Sequence, residues 1–497
     1  MLSWTADRYP SRTAVGGAQP LTYRQWDART NQLARALAGL GVRPGGRVAF
    51  LLAGGEPMAS LHLAVQKLGA ASVPLSVRFG PAELGYCVGD ADPMLVIGDE
   101  TTRASLAAAL GSPAQDRAAL DQLARREPDG ELDESPRPED ISVILYTSGT
   151  TGRPKGVPRT HRAEHAAAVA HVIQAQHRLG EVTLGVMPLF HTMGVRTLLA
   201  SILTAGTWVP QARFDAEVSL ELIGRDRVSA LYLVPTMYWS MLRTGRMAEA
   251  AAAVTRVAYA GAPMTPALVE ELAGTVDPEV FVNHLGSTEI YTFTICPDAR
   301  TKPGCAGRAG VFSRVRLVDP LDPATVVPPG TPGQVAVSMA SPEAFSGYRN
   351  RPDADARAIR DGWYLTGDVA AEDGDGDLWV TGRVDDMINS GGENIYPDEI
   401  ESALARCPDI SAVVVAGLPD DRWGQAVTAF VVAAQGVPPD LAVAHLAEYA
   451  REESGLPSLK RPKRYIAVDR IPTSAVGKIL RREFTEGRYQ PLAEAGS

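Results

Sequence analysis

Residues 146–157 read Tyr-Thr-Ser-Gly-Thr-Thr-Gly-Arg-Pro-Lys-Gly-Val. Just before them, Ile141-Ser142-Val143-Ile144-Leu145 is a short β-branched run of the kind that forms a buried strand. The strand empties into a loop of small hydroxyls and glycines. Gly149, Gly152 and Gly156 let the backbone turn with positive φ and approach a ligand closely. Thr147, Ser148, Thr150 and Thr151 add hydroxyls, and Lys155 adds a mobile positive charge. Seven of the nine residues from 148 to 156 are Ser, Thr, Gly or Lys. A solvated turn rarely concentrates them so far, whereas a polyphosphate cradle requires it. No Gly-Lys-Ser/Thr follows at the Walker spacing, so this is a different phosphate loop.

Outward from this loop the chain alternates apolar runs and helical patterns. Val48–Leu52, Met94–Ile97, Val182–Met187, Ala230–Val234, Val254–Tyr259 and Val280–Asn283 read as strands. Met58–Leu68, 193–205 and 265–273 read as helices between them. That order predicts a doubly wound α/β layer. Residues 111–139, polar and carrying four prolines at 113, 128, 136 and 138, read as a surface connection. Residues 296–335 are rich in Gly and Pro, with short β pieces such as Val315–Val318, and predict a small antiparallel subdomain. A compact α+β tail follows Asp385.

The 497 residues exceed one ordinary core and predict at least two domains. A net charge of −10 argues against nucleic acid or an anionic membrane as partner. Cys87, Cys296, Cys305 and Cys407 form no close pair and no metal spacing, and read as reduced thiols of a cytoplasmic protein. No signal peptide is expected, because Asp7 and Arg8 interrupt the short apolar start, and no run approaches the ~20 residues of a membrane span.

Thr147–Gly156 resembles the signature loop of the acyl-adenylate-forming superfamily: acyl- and aryl-CoA ligases, peptide-synthetase adenylation domains and luciferases. The likeness extends over nearly the whole chain and is nearest to aryl-CoA ligases of the chlorobenzoate type. It implies a large domain, 1–383, of doubly wound sheets with a β-barrel-like subdomain. A mobile α+β domain, 384–497, would hinge near Asp385. ATP, Mg²⁺ and coenzyme A would be the cofactors and co-substrates, a carboxylic acid or its acyl-AMP the other ligand. A homodimer is allowed.

The resemblance also implies roles. His191, in Met-Pro-Leu-Phe-His-Thr-Met-Gly, would stand between the acyl pocket and the thiol channel; the plain reading is a capping or core histidine. Gly261-Ala262-Pro263 and Asn283-His284-Leu285-Gly286-Ser287-Thr288-Glu289 end two expected strands, where open parallel sheets bind ligands. Glu289, with Thr147, would hold Mg²⁺. The adenine-stacking aromatic of the family is Leu285 here, a loss of about tenfold or less in nucleotide affinity. Asp368, in Tyr-Leu-Thr-Gly-Asp, would accept both ribose hydroxyls, and Arg383 would reach the same nucleotide. Gly391 and Gly392 would line a pantetheine channel. Arg78, Trp423, Arg461 and Lys463 would contact the coenzyme A nucleotide, with Leu459 in place of a relative's aromatic. Lys478, in Ala-Val-Gly-Lys-Ile-Leu, would be the adenylation lysine. Alignment to aryl-CoA ligases gives acyl-pocket walls at Val169, Thr192, Met193, Tyr232, Ala260, His284, Gly286, Tyr291 and Thr292, suited to a bulky aryl or polycyclic acid bearing a polar group.

Three other functions stay open at this level. They are a carrier-protein-loading adenylation enzyme, a transferase using preformed acyl-AMP, and a non-catalytic acyl-nucleotide-binding protein. Two further patterns read as chance. His161-Arg-Ala-Glu164-His165 fits a zinc-peptidase spacing without a third ligand. Asp373-Gly-Asp375-Gly-Asp377 opens like a calcium loop, but its sixth position is Leu378 and its twelfth Val384, so it reads as a hairpin turn.

Overall fold

The computed structural model describes residues 1–111, 114–133, 135–147, 153–390, 393–473 and 479–496, without the side chains of 393 and 394. Its contacts divide the chain into two compact units, Met1–Val315 with Val337–Tyr364, and Arg316–Ala336 with Leu365–Ser497.

The first unit contains two sheets. In one, Ala71–Pro74, Arg47–Leu51, Leu95–Gly98 and Gln115–Asp116 lie side by side and parallel. Ile141–Thr147 joins beside Ala71–Pro74, and Lys155–Thr160 returns antiparallel to it. The other sheet runs, edge to edge, Arg308–Ala309, Thr294–Cys296, Val280–Leu285, Arg256–Ala260, Ala230–Leu233, Val182–Gly185, Thr207–Pro210, Thr13–Val15 and Leu21–Thr22. From Val280–Leu285 to Thr13–Val15 its neighbours are parallel. All five residues of Arg256–Ala260 are buried, as befits a strand covered on both faces by crossover helices. One apolar cluster joins Val15 and Trp208 of this sheet through Trp26, Leu33 and Leu198 to Val48, Phe50 and Leu145 of the other. Burial of such side chains, worth about 1.5–3 kcal/mol each, is the main force holding the two sheets to their helices.

The strands expected from β-branched runs are present to within about two residues, and Val315–Val318 matches at both ends. The stretch 111–139 differs. It contains a helix, Arg117–Ala124, capped by Asp116, whose side chain accepts from the Ala119 N–H at 3.1 Å. Leu120 and Ala124, four apart, bury against the helix Tyr23–Gly39. The Asp cap and this spacing were signals that the surrounding prolines outweighed. The four cysteines are buried and none is in a disulfide, as expected. Asp373 closes the turn between Trp363–Glu372 and Leu378–Arg383: its Oδ1 accepts from the N–H of Asp375 and Asp377, and its Oδ2 from Trp379. Among the described residues no helix is long and apolar enough to cross a membrane.

The second unit is built on Gly424–Ala433, flanked by Ile410–Asp420 and by the parallel strand Arg464–Val468. Beside it Arg481 gathers three carboxylates: Nη1 lies 3.1 Å from Asp386, and Nη2 2.5 Å from Asp398 and 2.6 Å from Glu401. Burial, only partly offset by Arg481 and reinforced by Asp398, raises the Glu401 carboxyl from 4.5 to about 7. A raised folded-state value means that the folded chain holds an extra proton between those limits. The contribution of Glu401 to stability is therefore fully present below pH 4.5 and is lost as pH rises through about 7. Glu401→Gln is expected to remove on the order of 1–3 kcal/mol of this slope. The difference in melting midpoint between pH 5 and pH 8 should shrink in the variant; an unchanged difference would contradict the assignment.

Candidate active site

The signature loop is flanked by two antiparallel strands, Ile141–Thr147 and Lys155–Thr160. Thr147, at the end of the first strand, pairs with Lys155 at the start of the second. Ser148, Gly149, Thr150, Thr151 and Gly152 lie outside the described residues. The base of the hairpin is tied down: the Tyr146 hydroxyl donates to Asp90 at 2.7 Å, and the Arg349 N–H to the Gly156 carbonyl at 2.9 Å. The Lys155 ammonium sits 4.2 Å from the centroid of the Tyr348 ring. The Tyr348 hydroxyl in turn donates to Glu289 Oε1 at 2.6 Å. Burial, and then the Glu289 charge, push the Tyr348 hydroxyl far up, so it remains a donor. Lysine, ring and carboxylate thus make one line beside the loop. Tyr348 carries no sequence motif of its own; only the fold brings it 59 positions back to Glu289.

Glu289 is held by its main chain as well. Its carbonyl accepts from the Phe345 N–H at 2.8 Å and from Arg159 Nη1 at 3.1 Å. Its N–H donates to Ser287 Oγ at 3.2 Å, and the Thr288 carbonyl also accepts from Arg159. With Oε1 engaged by a neutral hydroxyl, Oε2 accepts no hydrogen bond among the described residues. A fixed carboxylate with one oxygen uncommitted fits Mg²⁺, a hard ion that takes one or two carboxylates and completes its shell with phosphate and water.

The strands Arg256–Ala260 and Val280–Leu285 run parallel with Ala260 beside His284. Gly261 follows with φ of +87°, and Ala262 and Pro263 are exposed at the strand end, where a ligand can reach them. Asn283 is buried and donates to the Cys305 carbonyl at 2.7 Å, so its side chain fixes the strand end. Leu285 is half-buried. Gly286 is required sterically: a Cβ there would lie 2.0 Å from the Tyr291 carbonyl oxygen.

His191 caps the helix Thr192–Leu203, its Nδ1 accepting from the Met193 N–H at 3.3 Å. An accepting Nδ1 places the proton on Nε2 of the neutral ring. The plain capping reading therefore holds, beside Thr192 and Met193, two of the expected pocket walls.

Of the expected pocket walls, Thr192, Met193, Tyr232, Ala260, His284, Tyr291 and Thr292 are buried, and Val169 is half-buried. Tyr232 and His284 meet with ring centroids 5.2 Å apart. They are joined by residues that the motif reading did not include. His171 lies 4.7 Å from Tyr232 and 5.4 Å from His284, with His177 5.0 Å beyond. Arg196 Nη1 donates to the Tyr232 hydroxyl at 3.3 Å. Arg159 forms a fully buried ion pair with Glu164 and lies 3.6 Å over the Tyr291 ring. Glu164 also accepts from the Tyr291 hydroxyl at 3.2 Å. It is therefore taken as an ion-pair partner, which accounts for it in the His161–His165 pattern. Burial, followed by the charge of Arg196, drives the His284 ring well below its ordinary value, so it is neutral.

In the second unit, Asp368 and Arg383 face each other across a hairpin and form an ion pair. Gly367, with φ of +80°, leaves room for the guanidinium: a Cβ would come within 2.8 Å of Arg383 Nη2. Trp423 lies between cations, with Arg422 4.8 Å and Lys463 5.5 Å from its ring centroid. Lys463 donates to the Ser458 carbonyl and Arg461 to the Leu456 carbonyl. Arg78, in the first unit, is exposed. Gly391, Gly392 and Lys478 lie outside the described residues.

Comparison with known proteins accords with this geometry. Residues 2–349 match the model of the AMP-binding enzyme family, and residues 399–478 that of the AMP-binding enzyme C-terminal domain. A 4-chlorobenzoate–CoA ligase of Arthrobacter sp is 33% identical over 520 residues, covering 100% of this chain and 97% of its own. A feruloyl-CoA synthase of Amycolatopsis sp is 36% identical over 498 residues, covering 97% of each. The o-succinylbenzoate CoA synthetase of Bacillus subtilis, solved with its acyl-adenylate intermediate, superposes with a TM-score of 0.88 at 27% identity over 97% of each chain. With both family models matched in chain order and relatives covered almost end to end, this chain belongs to the AMP-binding enzyme family, and within it to the AMP-forming acyl- and aryl-CoA ligases.

Proposed function

We propose that this enzyme activates a bulky aryl or polycyclic carboxylic acid with ATP and transfers it to coenzyme A. In the first half-reaction a carboxylate oxygen attacks the α-phosphorus of ATP, the bond to the bridging oxygen breaks, and acyl-AMP and pyrophosphate form. Lys155 and Lys478 place positive charge where negative charge develops on the phosphates, and Asp368 accepts from the ribose hydroxyls. Magnesium, held by Glu289 and Thr147, would supply further charge neutralisation. In the second half-reaction the thiolate attacks the acyl carbonyl carbon, the bond to the phosphate oxygen breaks, and AMP leaves. Gly391 and Gly392 line the thiol's path, Arg78, Trp423, Arg461 and Lys463 hold the nucleotide end, and Asp385 is the hinge between the two half-reactions.

The observation that supports this reading most is the line of Lys155, Tyr348 and Glu289 beside the hydroxyl-rich hairpin. The test is a panel of carboxylic acids assayed with ATP, with pyrophosphate, AMP and thioester measured separately. Pyrophosphate should appear with acid alone, and thioester only after coenzyme A is added. Aryl and polycyclic acids should be preferred over acetate and long straight-chain acids; the opposite preference overturns the substrate class.

A further inference from the structure

Around Tyr232 the first unit buries more polar atoms than it satisfies. Among the described residues, both ring nitrogens of His171 and of His284 find no hydrogen-bond partner, nor do Arg196 Nε, Thr292 Oγ1 and both Glu343 oxygens. Arg196 is 2% exposed, and among the described residues it forms no ion pair. Each such buried group, left unpaired, forfeits the hydrogen bonds it had in water. A cluster of them, in a chain whose other buried arginines among the described residues, Arg117, Arg159 and Arg256, each pair with a carboxylate, points to a group that the protein itself does not supply.

Position identifies that group's carrier. Arg196 lies five residues beyond the capping His191 on the same helix, on the order of 7.5 Å deeper along its axis at 1.5 Å per residue. It is four residues from Thr192 and shares its face. Tyr232, to which it donates, lies 5.2 Å from His284, and both are expected pocket walls. With the reacting carboxyl at the His191 end, as the proposed function has it, Arg196 lies farther along the helix by about the length of one para-substituted ring. We propose that Arg196 is a specificity-determining residue, with Tyr232, His171 and His284 around it, and that it selects acids carrying an oxygen acceptor at the end opposite the reacting carboxyl. This deepens the ligase reading above and rests on it. Arg196 offers only donors, so the partner is an acceptor: a ketone oxygen or a second carboxylate. Glu343, its carboxyl raised by burial and lowered in part by Arg196, is the nearby acid whose charge decides between these two.

The test compares 4-acetylbenzoate, its apolar isostere 4-isopropylbenzoate, and terephthalate as substrates for pyrophosphate release by the full-length enzyme. Wild type should favour the ketone or the dicarboxylate over the isopropyl acid by more than about tenfold in kcat/KM. Terephthalate above the ketone assigns an anionic partner, and the reverse a neutral one. Arg196→Met should collapse the preference, and Tyr232→Phe should reduce it. The wild-type ratio needs no variant, so a poorly folding Arg196→Met leaves the proposal exposed. If a larger acid is the one turned over, the three compounds serve as competitive inhibitors and the ratio of inhibition constants is read instead. A ratio near one, or a preference untouched by Arg196→Met, overturns the proposal while leaving the ligase reading intact. Absence of pyrophosphate with every acid of the wider panel overturns the ligase reading itself.

Discussion

Arg159→Met should lower the unfolding free energy of the first compact unit by about 3–5 kcal/mol. The wild-type pair is buried on both sides, Arg159 at 0% and Glu164 at 3% side-chain exposure. Removing the guanidinium strands the Glu164 carboxylate in a medium where an unpaired charge is poorly solvated. It also unpairs the Thr288 carbonyl and takes one of the two bonds that the Glu289 carbonyl accepts, each bonded to Arg159 at 3.1 Å, while the Phe345 N–H stays on Glu289. The two costs separate in a second variant. Arg159→Met with Glu164→Leu removes the stranded charge and keeps the apolar volume, so it should recover most of the loss. What remains is the cost of the unpaired Thr288 carbonyl and of the Tyr291 hydroxyl that bonded Glu164, about 1–3 kcal/mol. Denaturant unfolding of wild type, single and double variants measures both. A single variant within 1 kcal/mol of wild type would mean that the pair is solvated after all.

Glu289→Gln should reduce pyrophosphate formation by about 10²–10³-fold while leaving stability nearly unchanged. Glutamine is isosteric, and its carbonyl oxygen still accepts from the Tyr348 hydroxyl that bonds Oε1 at 2.6 Å. The main-chain bonds from Phe345 and Arg159 do not depend on the side chain. Only the charge is lost, and with it the attraction for a cation bridging the ATP phosphates. The magnesium concentration for half-maximal rate should rise accordingly. Melting and pyrophosphate release measured on one preparation decide the matter: an unfolded variant would show Glu289 to be structural, and an active one would remove it from the site.

These two residues touch the same short segment from opposite sides. Arg159 grips its carbonyls from the protein interior, and Tyr348 grips the carboxylate of Glu289. The buried Arg159–Glu164 pair thus serves positioning: through the Thr288 and Glu289 carbonyls it fixes where the Glu289 carboxylate stands. The double variant should for this reason regain stability without regaining the full rate.

The family and the α/β fold class were legible in the chain itself. Each is written in contiguous residues, a β-branched run followed by glycines and hydroxyls, whose strand and turn preferences are local. The strand ends at Gly261 and Leu285 could be placed for the same reason. Residues 111–139 failed the local reading because the four prolines masked the amphipathic turn of Leu120 and Ala124. What only tertiary structure decided is the company each side chain keeps. Tyr348 meets Glu289, Arg159 meets Tyr291, and Arg196 meets Tyr232 and looks toward His284, because two sheets and their helices close on one core. Periodicity tells which face of a helix is apolar, but not which strand lies opposite it. The selectivity of a pocket arises from that second fact, since a buried arginine is a structural ion or a ligand's partner according to whether packing brings it a carboxylate.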